Sequence, residues 1–137
     1  MSARVRKVWD EALQAPLDVE PTWLHGDLHP RNVISRAGTL AAVIDWGDVC
    51  AGDRATDLAS LWMLLSGASA RGRAREIVDA QGVVSDATWA RARGWAVFFG
   101  AIMLVSGLDD GDELFAQCGR LTLGRVAGLC PTASLSP

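Results

Sequence analysis

The chain has 137 residues, half of them hydrophobic and 21% charged, a composition that fits one folded domain and argues against a disordered segment. The formal net charge is −3, and no Lys/Arg stripe exists to neutralise nucleic-acid phosphates, so no nucleic-acid partner is expected. The cysteines Cys50, Cys118 and Cys130 are odd in number and far apart with no CxxC, so a cytoplasmic location is expected rather than a disulfide framework.

Val5, Val8, Trp9, Ala12 and Leu13 recur at helical spacing, which predicts an amphipathic helix over 3–14, closed by Pro16. The N-terminal stretch has basic residues but no apolar h-region, so no signal peptide is expected. "TWLHGD" predicts a short strand running into a loop. "NVISRAGTLAAVID" holds two short apolar runs joined by Arg-Ala-Gly, the pattern of a small β-hairpin. Asp53 stands where it would cap a helix whose Leu58, Leu61, Trp62 and Leu65 share one face. A shorter helix is expected over 70–80. Ser85, with Thr88 three residues on, opens a long helix to about Ser106, with Trp89, Ala92, Trp95, Ala96, Phe99 and Ile102 as its core stripe. The apolar run Trp95 to Leu108 is broken by Gly100, Ser106 and Gly107 and is shorter than the ~20 residues of a membrane span. It reads as a core helix, and no membrane partner is expected. A last helix follows from about Gly111 to Ala127. The prediction is a single domain over 1–137, mainly α with a small β-hairpin, an α+β fold.

Two loops carry the chemistry. Asp27 and Asn32 follow the first strand, and Asp45 follows the second strand of the hairpin. A strand–loop–strand–turn–strand path brings the three together. Two carboxylates and an amide oxygen are hard ligands suited to Mg²⁺, which shares its remaining positions with water and substrate phosphates. The acid not on the metal is left to orient or deprotonate a hydroxyl. That is the inventory of phosphoryl transfer.

Three motifs occur in order: His25-Gly26-Asp27-Leu28-His29-Pro30-Arg31-Asn32, then Ile44-Asp45-Trp46-Gly47, then Asp53-Arg54-Ala55-Thr56-Asp57-Leu58-Ala59. Together they resemble the aminoglycoside phosphotransferase and choline kinase family, relatives of the protein kinases. The resemblance implies that Asp27 is the catalytic base and that Asn32 and Asp45 hold Mg²⁺. It implies that Asp57 braces the catalytic loop, that His25 holds the loop's backbone, and that His29 contacts the transferred phosphate. For His29 a hydrogen bond within the loop is the competing expectation, and for Asp53 a helix cap competes with a ligand role. ATP or GTP is the implied donor, and a small hydroxyl compound such as an aminoglycoside or amino alcohol the implied acceptor. Gly26 stands where phosphorylation-switched protein kinases carry an arginine, which favours a small-molecule substrate.

The same resemblance implies the C-terminal lobe of a protein-kinase-like fold. No glycine-rich strand-turn-strand stands upstream of Asp27, and Lys7, the single lysine, falls on the first predicted helix. The N-lobe is therefore expected to be absent. The apolar surface so exposed would suit a symmetric homodimer or the missing lobe. A non-catalytic remnant or binding module is the alternative function. Asp109, Asp110, Asp112 and Glu113 would attract a cationic substrate, or else serve as acids favourable to a helix start. Trp46 is expected in the core.

Overall fold

The computed structural model describes residues 2–129. Helix α1 spans Ala3–Gln14, with the Ser2 hydroxyl accepting the Val5 N–H, and it buries Val5 and Val8. Strand β1 is Thr22–Leu24. Strands β2 (Val33–Arg36) and β3 (Thr39–Val43) form the expected hairpin, pairing Val33 with Val43 and Arg36 with Thr39, with an irregularity between Ile34 and Ser35. Its turn places Ala37 at φ 49° and Gly38 at φ 76°, the left-handed pair that a tight two-residue hairpin turn requires.

A further strand, β4 (Cys50–Gly52), pairs antiparallel with β1, matching Thr22 with Gly52 and Leu24 with Cys50. The sequence reading had no counterpart for it. Three residues without alternation carry no strand signal, and only the partner makes β4 a strand. Strands β1 and β2, one from each small sheet, flank the Asp27–Asn32 loop in sequence, so the loop is entered from one sheet and left into the other.

The helix expected after Asp53 is two short ones, α2 (Ala55–Leu58) and α3 (Ser60–Leu64). The break falls at Ala59, where Trp62 N–H donates back three residues to the Ala59 carbonyl and tightens the turn. Its innermost residues are Ala55, Ala59, Ser60 and Met63, while Leu58, Leu61, Trp62 and Leu65 are half-buried. Small side chains face inward because Ala55 meets Trp89 and Ala92 of the long helix at close range. Arg71 and Arg125 close the end of α3, donating to the carbonyls of Leu65 and Ser66 and of Trp62 and Met63 respectively. Burial pushes the Arg125 guanidinium down from its ordinary value, with Arg71 adding repulsion.

Helix α4 spans Ala68–Asp79. Helix α5 spans Asp86–Asp109 and opens with a reciprocal cap: Ser85 Oγ accepts the Thr88 N–H at 3.0 Å and Thr88 Oγ1 accepts the Ser85 N–H at 3.3 Å. Its 24 residues exceed the apolar run read from sequence, and it has the length and hydropathy of a membrane span. It is packed as a core helix, against α1, α2, α3 and the last helix, α6 (Glu113–Val126). Val5, Val8, Ala59, Met63, Ala96, Val97, Met103 and Val126 form the larger core cluster. Close approach of α5 and α6 depends on glycine. A Cβ at Gly107 would stand 2.3 Å from Ala116 N, and one at Gly119 2.4 Å from Leu104 N.

The core stripe of α5 is narrower than expected. Trp89, Ala92 and Ala96 are buried, but Trp95 and Ile102 are exposed with Phe98, Val105 and Leu108 along one apolar face. Cys50 is exposed and Cys118 half-buried, both as free thiols, and Cys130 lies outside the described residues.

Candidate active site

A single carboxylate sets the backbone of the first loop. Asp57, on α2, accepts the His25 N–H through Oδ2 at 2.7 Å and the Gly26 N–H through Oδ1 at 3.0 Å. His25 is buried directly after β1. Its Nδ1 accepts the Asp27 N–H at 3.3 Å, so the ring proton sits on Nε2, which donates to the Ile44 carbonyl at 2.9 Å. One imidazole thus ties the Asp27 loop to the end of β3. Gly26 adopts φ +86°, and a Cβ there would stand 2.6 Å from the Asp48 carbonyl oxygen, so conformation and space both require glycine.

Asp27 and Asn32 meet across a short 3-10 turn, Pro30–Asn32. Buried Asn32 donates through Nδ2 to the Asp27 carbonyl at 2.9 Å and to the Asp27 carboxylate Oδ2 at 3.2 Å. The amide is thereby turned so that its oxygen, Oδ1, is free of protein donors among the described residues. Asp27 Oδ1 is free in the same sense. The Ile44 N–H donates to the Asn32 carbonyl at 2.9 Å, which puts Asp45 one residue from the Asp27–Asn32 pair.

Asp45 itself is exposed and holds φ 61°, ψ 64°, a left-handed conformation that Asp tolerates better than most side chains. Strain of this kind persists only where the surroundings enforce it. Trp46, expected in the core, is 58% exposed. Its indole N–H reaches the Val43 carbonyl at 2.9 Å and its ring lies 4.8 Å from the His25 ring, so it covers the turn from outside.

The Asn32 amide oxygen and the Asp45 carboxylate are hard oxygen donors of the type Mg²⁺ takes. Among the described residues no three His, Cys, Asp or Glu side chains gather closely enough to hold a metal alone. Two such donors would leave the rest of a Mg²⁺ shell to water and phosphate oxygens.

His29 faces Asp27. Its Nε2 stands 3.3 Å from Asp27 Oδ2 and its Nδ1 accepts the Arg31 N–H at 3.2 Å. Of the acidic run, Asp112 caps α6 by accepting the Phe115 N–H at 2.9 Å and pairs with Arg31, while Glu113 pairs with Arg120 at 2.6 Å. Asp109 and Asp110 sit exposed at the C-terminal end of α5, where the helix dipole disfavours negative charge, not at a helix start. The Arg31–Asp112 pair brings this acidic turn beside the Asp27 loop.

Arg91 is the residue that sequence reasoning missed. It is 9% exposed, binds Asp53 through Nε at 2.7 Å and Asp18 through a terminal nitrogen at 3.2 Å, and also reaches the Pro16 carbonyl. Asp53 Oδ1 also accepts the Ala55 N–H at 3.1 Å, at the start of α2. The Asp53 carboxylate raises the Arg91 guanidinium above its ordinary value. The Ser85 hydroxyl, then Arg91, hold the Asp18 carboxyl below its usual 3.8. The clasp joins the α1–β1 connection, α2 and α5, and so fixes the helix that carries Asp57. Its only sequence signal was a charge inside a helix otherwise flanked by Trp89 and Ala92. An apolar cavity of about 320 Å³ beside it, lined by Arg91 with Trp9, Leu13, Trp95 and Phe98, includes none of the motif residues.

The family model for the phosphotransferase enzyme family (APH) matches residues 2–95, more than half of the chain and all three motifs. No curated protein and no solved structure matches it. With the loop geometry above, the match decides the question of kinship: the chain belongs to the phosphotransferase enzyme family.

Proposed function

We propose that this chain is the C-terminal lobe of a small-molecule kinase, carrying the base and metal-binding half of a site that moves the γ-phosphoryl group of ATP or GTP to a hydroxyl. The observation that carries the reading is the Asp27–Asn32 contact, which leaves one oxygen of each side chain free while fixing both. Asp27 Oδ1 is placed to accept the proton of an acceptor hydroxyl and aim its oxygen. Asn32 Oδ1 and Asp45 would hold Mg²⁺, which when bound neutralises charge on the nucleotide phosphates. Asp57 and His25 keep the loop backbone in place during transfer. Asp109 and Asp110, exposed on the turn whose Asp112 pairs with Arg31, would favour a cationic acceptor such as an amino sugar or amino alcohol.

Residues 1–137 supply no strand lysine to grip phosphates: Lys7, the single lysine, sits on α1 opposite Glu11. Phosphoryl transfer rests on positioning, and loss of oriented reactants forfeits ~7 kcal/mol or more of barrier lowering. Residues 1–137 alone are therefore expected to show no transfer above background with Mg²⁺ and ATP or GTP. Supplying the nucleotide-gripping lobe of a family member should restore transfer, and Asp27→Asn should remove it. Robust Asp27-dependent turnover by residues 1–137 alone would overturn the half-site reading. No transfer in either arrangement would favour a non-catalytic binding module.

A further inference from the structure

The loop that carries Asp27 is held from outside the family match. Arg31 lies 3.9 Å over the Phe115 ring and pairs with Asp112, and His29 meets the same ring edge-on with centroids 5.6 Å apart. Phe115 and Asp112 belong to α6 and its cap, beyond residue 95 where the match ends. Phe115 is thus shared by two side chains of one loop, and a helix more than eighty positions away packs against that loop.

His29 has two ring nitrogens with different surroundings. Nδ1 accepts the Arg31 N–H at 3.2 Å, so in the neutral ring that nitrogen is bare and the proton sits on Nε2. Nε2 stands 3.3 Å from Asp27 Oδ2, the same oxygen that Asn32 Nδ2 reaches at 3.2 Å. The His29 side chain is only 15% exposed, which limits competition from water.

We infer that His29 is a positioning residue for Asp27. Its Nε2, backed by Phe115, makes a close polar contact with Oδ2 beside the Asn32 hydrogen bond, and the two contacts on one oxygen resist rotation of the carboxylate. Oδ1 is then the single oxygen offered to an acceptor hydroxyl. What that oxygen does rests on the kinase reading above, but the contact itself does not. The chain beyond the matched region thereby aims the base within it.

The test is NMR on the labelled intact chain and needs no turnover, so failure of the transfer assays would not be confused with failure here. At a pH above ~8, where an imidazole is neutral, the His29 nitrogens should report the Nε2–H tautomer. His29→Asn keeps an acceptor for the Arg31 N–H but is too short to reach Asp27. His29→Gln keeps a donor near the position of Nε2. Loss of this polar contact's restraint should speed exchange of the Asn32 side-chain amide protons about five- to tenfold in His29→Asn and in Phe115→Ala, and His29→Gln should restore most of it. An Nδ1–H tautomer in the wild-type chain would overturn the assignment. So would Asn and Gln variants that exchange alike, whether both as wild type or both fast, because a cap or a packing contact alone would not separate them.

Discussion

Asp57 grips the backbone of His25 at 2.7 Å across 32 positions of sequence, and with its second oxygen it takes the next N–H as well. A charged acceptor on two adjacent N–H groups is a strong local restraint, and its removal leaves both donors unpaired. Asp57→Ala should destabilise the chain by about 2–4 kcal/mol, and Asp57→Asn by less, because one amide oxygen still accepts. Urea melts of the two variants against wild type check the order. Equal stability for all three would mean that the loop holds its shape without this brace.

Gly26 and Gly38 both sit at positive φ, but only Gly26 is crowded: a Cβ at Gly38 meets nothing within 4 Å. Gly38→Ala should cost about 1 kcal/mol, the price of a left-handed backbone alone. Gly26→Ala adds a contact of 2.6 Å with the Asp48 carbonyl and should cost clearly more, shifting the turn that follows Asp45. Thermal melts of the two alanine variants read the difference directly.

On the proposed reading Asn32 and Asp45 supply two oxygen ligands, so Mg²⁺ without nucleotide should bind weakly and nucleotide should strengthen it. Calorimetry with Mg²⁺ and ATP on wild type and Asp45→Ala gives the comparison. Asp45→Ala should lose the metal-dependent heat. Matching titrations from the two proteins would take Asp45 out of the site.

The Arg91 clasp has a defined pH signature. The Asp18 carboxyl is lowered below 3.8 in the folded chain by Ser85 and Arg91, so its contribution is present above that value and disappears as pH falls through the lowered one. Arg91 is raised above its ordinary value, so its pairing is complete at every working pH and adds no slope there. Melts from pH 6 down to about pH 3 should therefore show wild type and Asp18→Asn converging at the acid end and separating above it. Parallel curves would mean that Asp18 does not feel its partners.

Much of the fold was legible because it is written in local chemistry. Ser85 and Thr88 announced α5 by a reciprocal cap, and the Ala37–Gly38 turn announced the hairpin. The path from the first strand through the hairpin announced that Asp27 and Asn32 lie together, and the two side chains touch. What stayed hidden depends on partners distant in sequence. β4 is a strand only because β1 lies beside it, and Arg91 is buried only because Asp18 and Asp53 surround it. Trp46 and Trp95 misled for a different reason: a large apolar side chain signals burial on average, yet one covers a turn and the other lines an exposed helix face.

The distances along the chain that Arg91 spans also bear on kinetics. Its partners Asp53 and Asp18 are 38 and 73 positions away, so the clasp closes only after long segments have been brought together. Loop closure is costly before it is rewarded, which places such a contact late, on the native side of the folding barrier. A contact made after the barrier slows escape from the native state without hastening arrival. In denaturant-jump kinetics, Arg91→Met should therefore steepen the rate of unfolding in water by an order of magnitude or more while leaving the refolding rate nearly unchanged, making this buried arginine a lock on the lifetime of the folded chain.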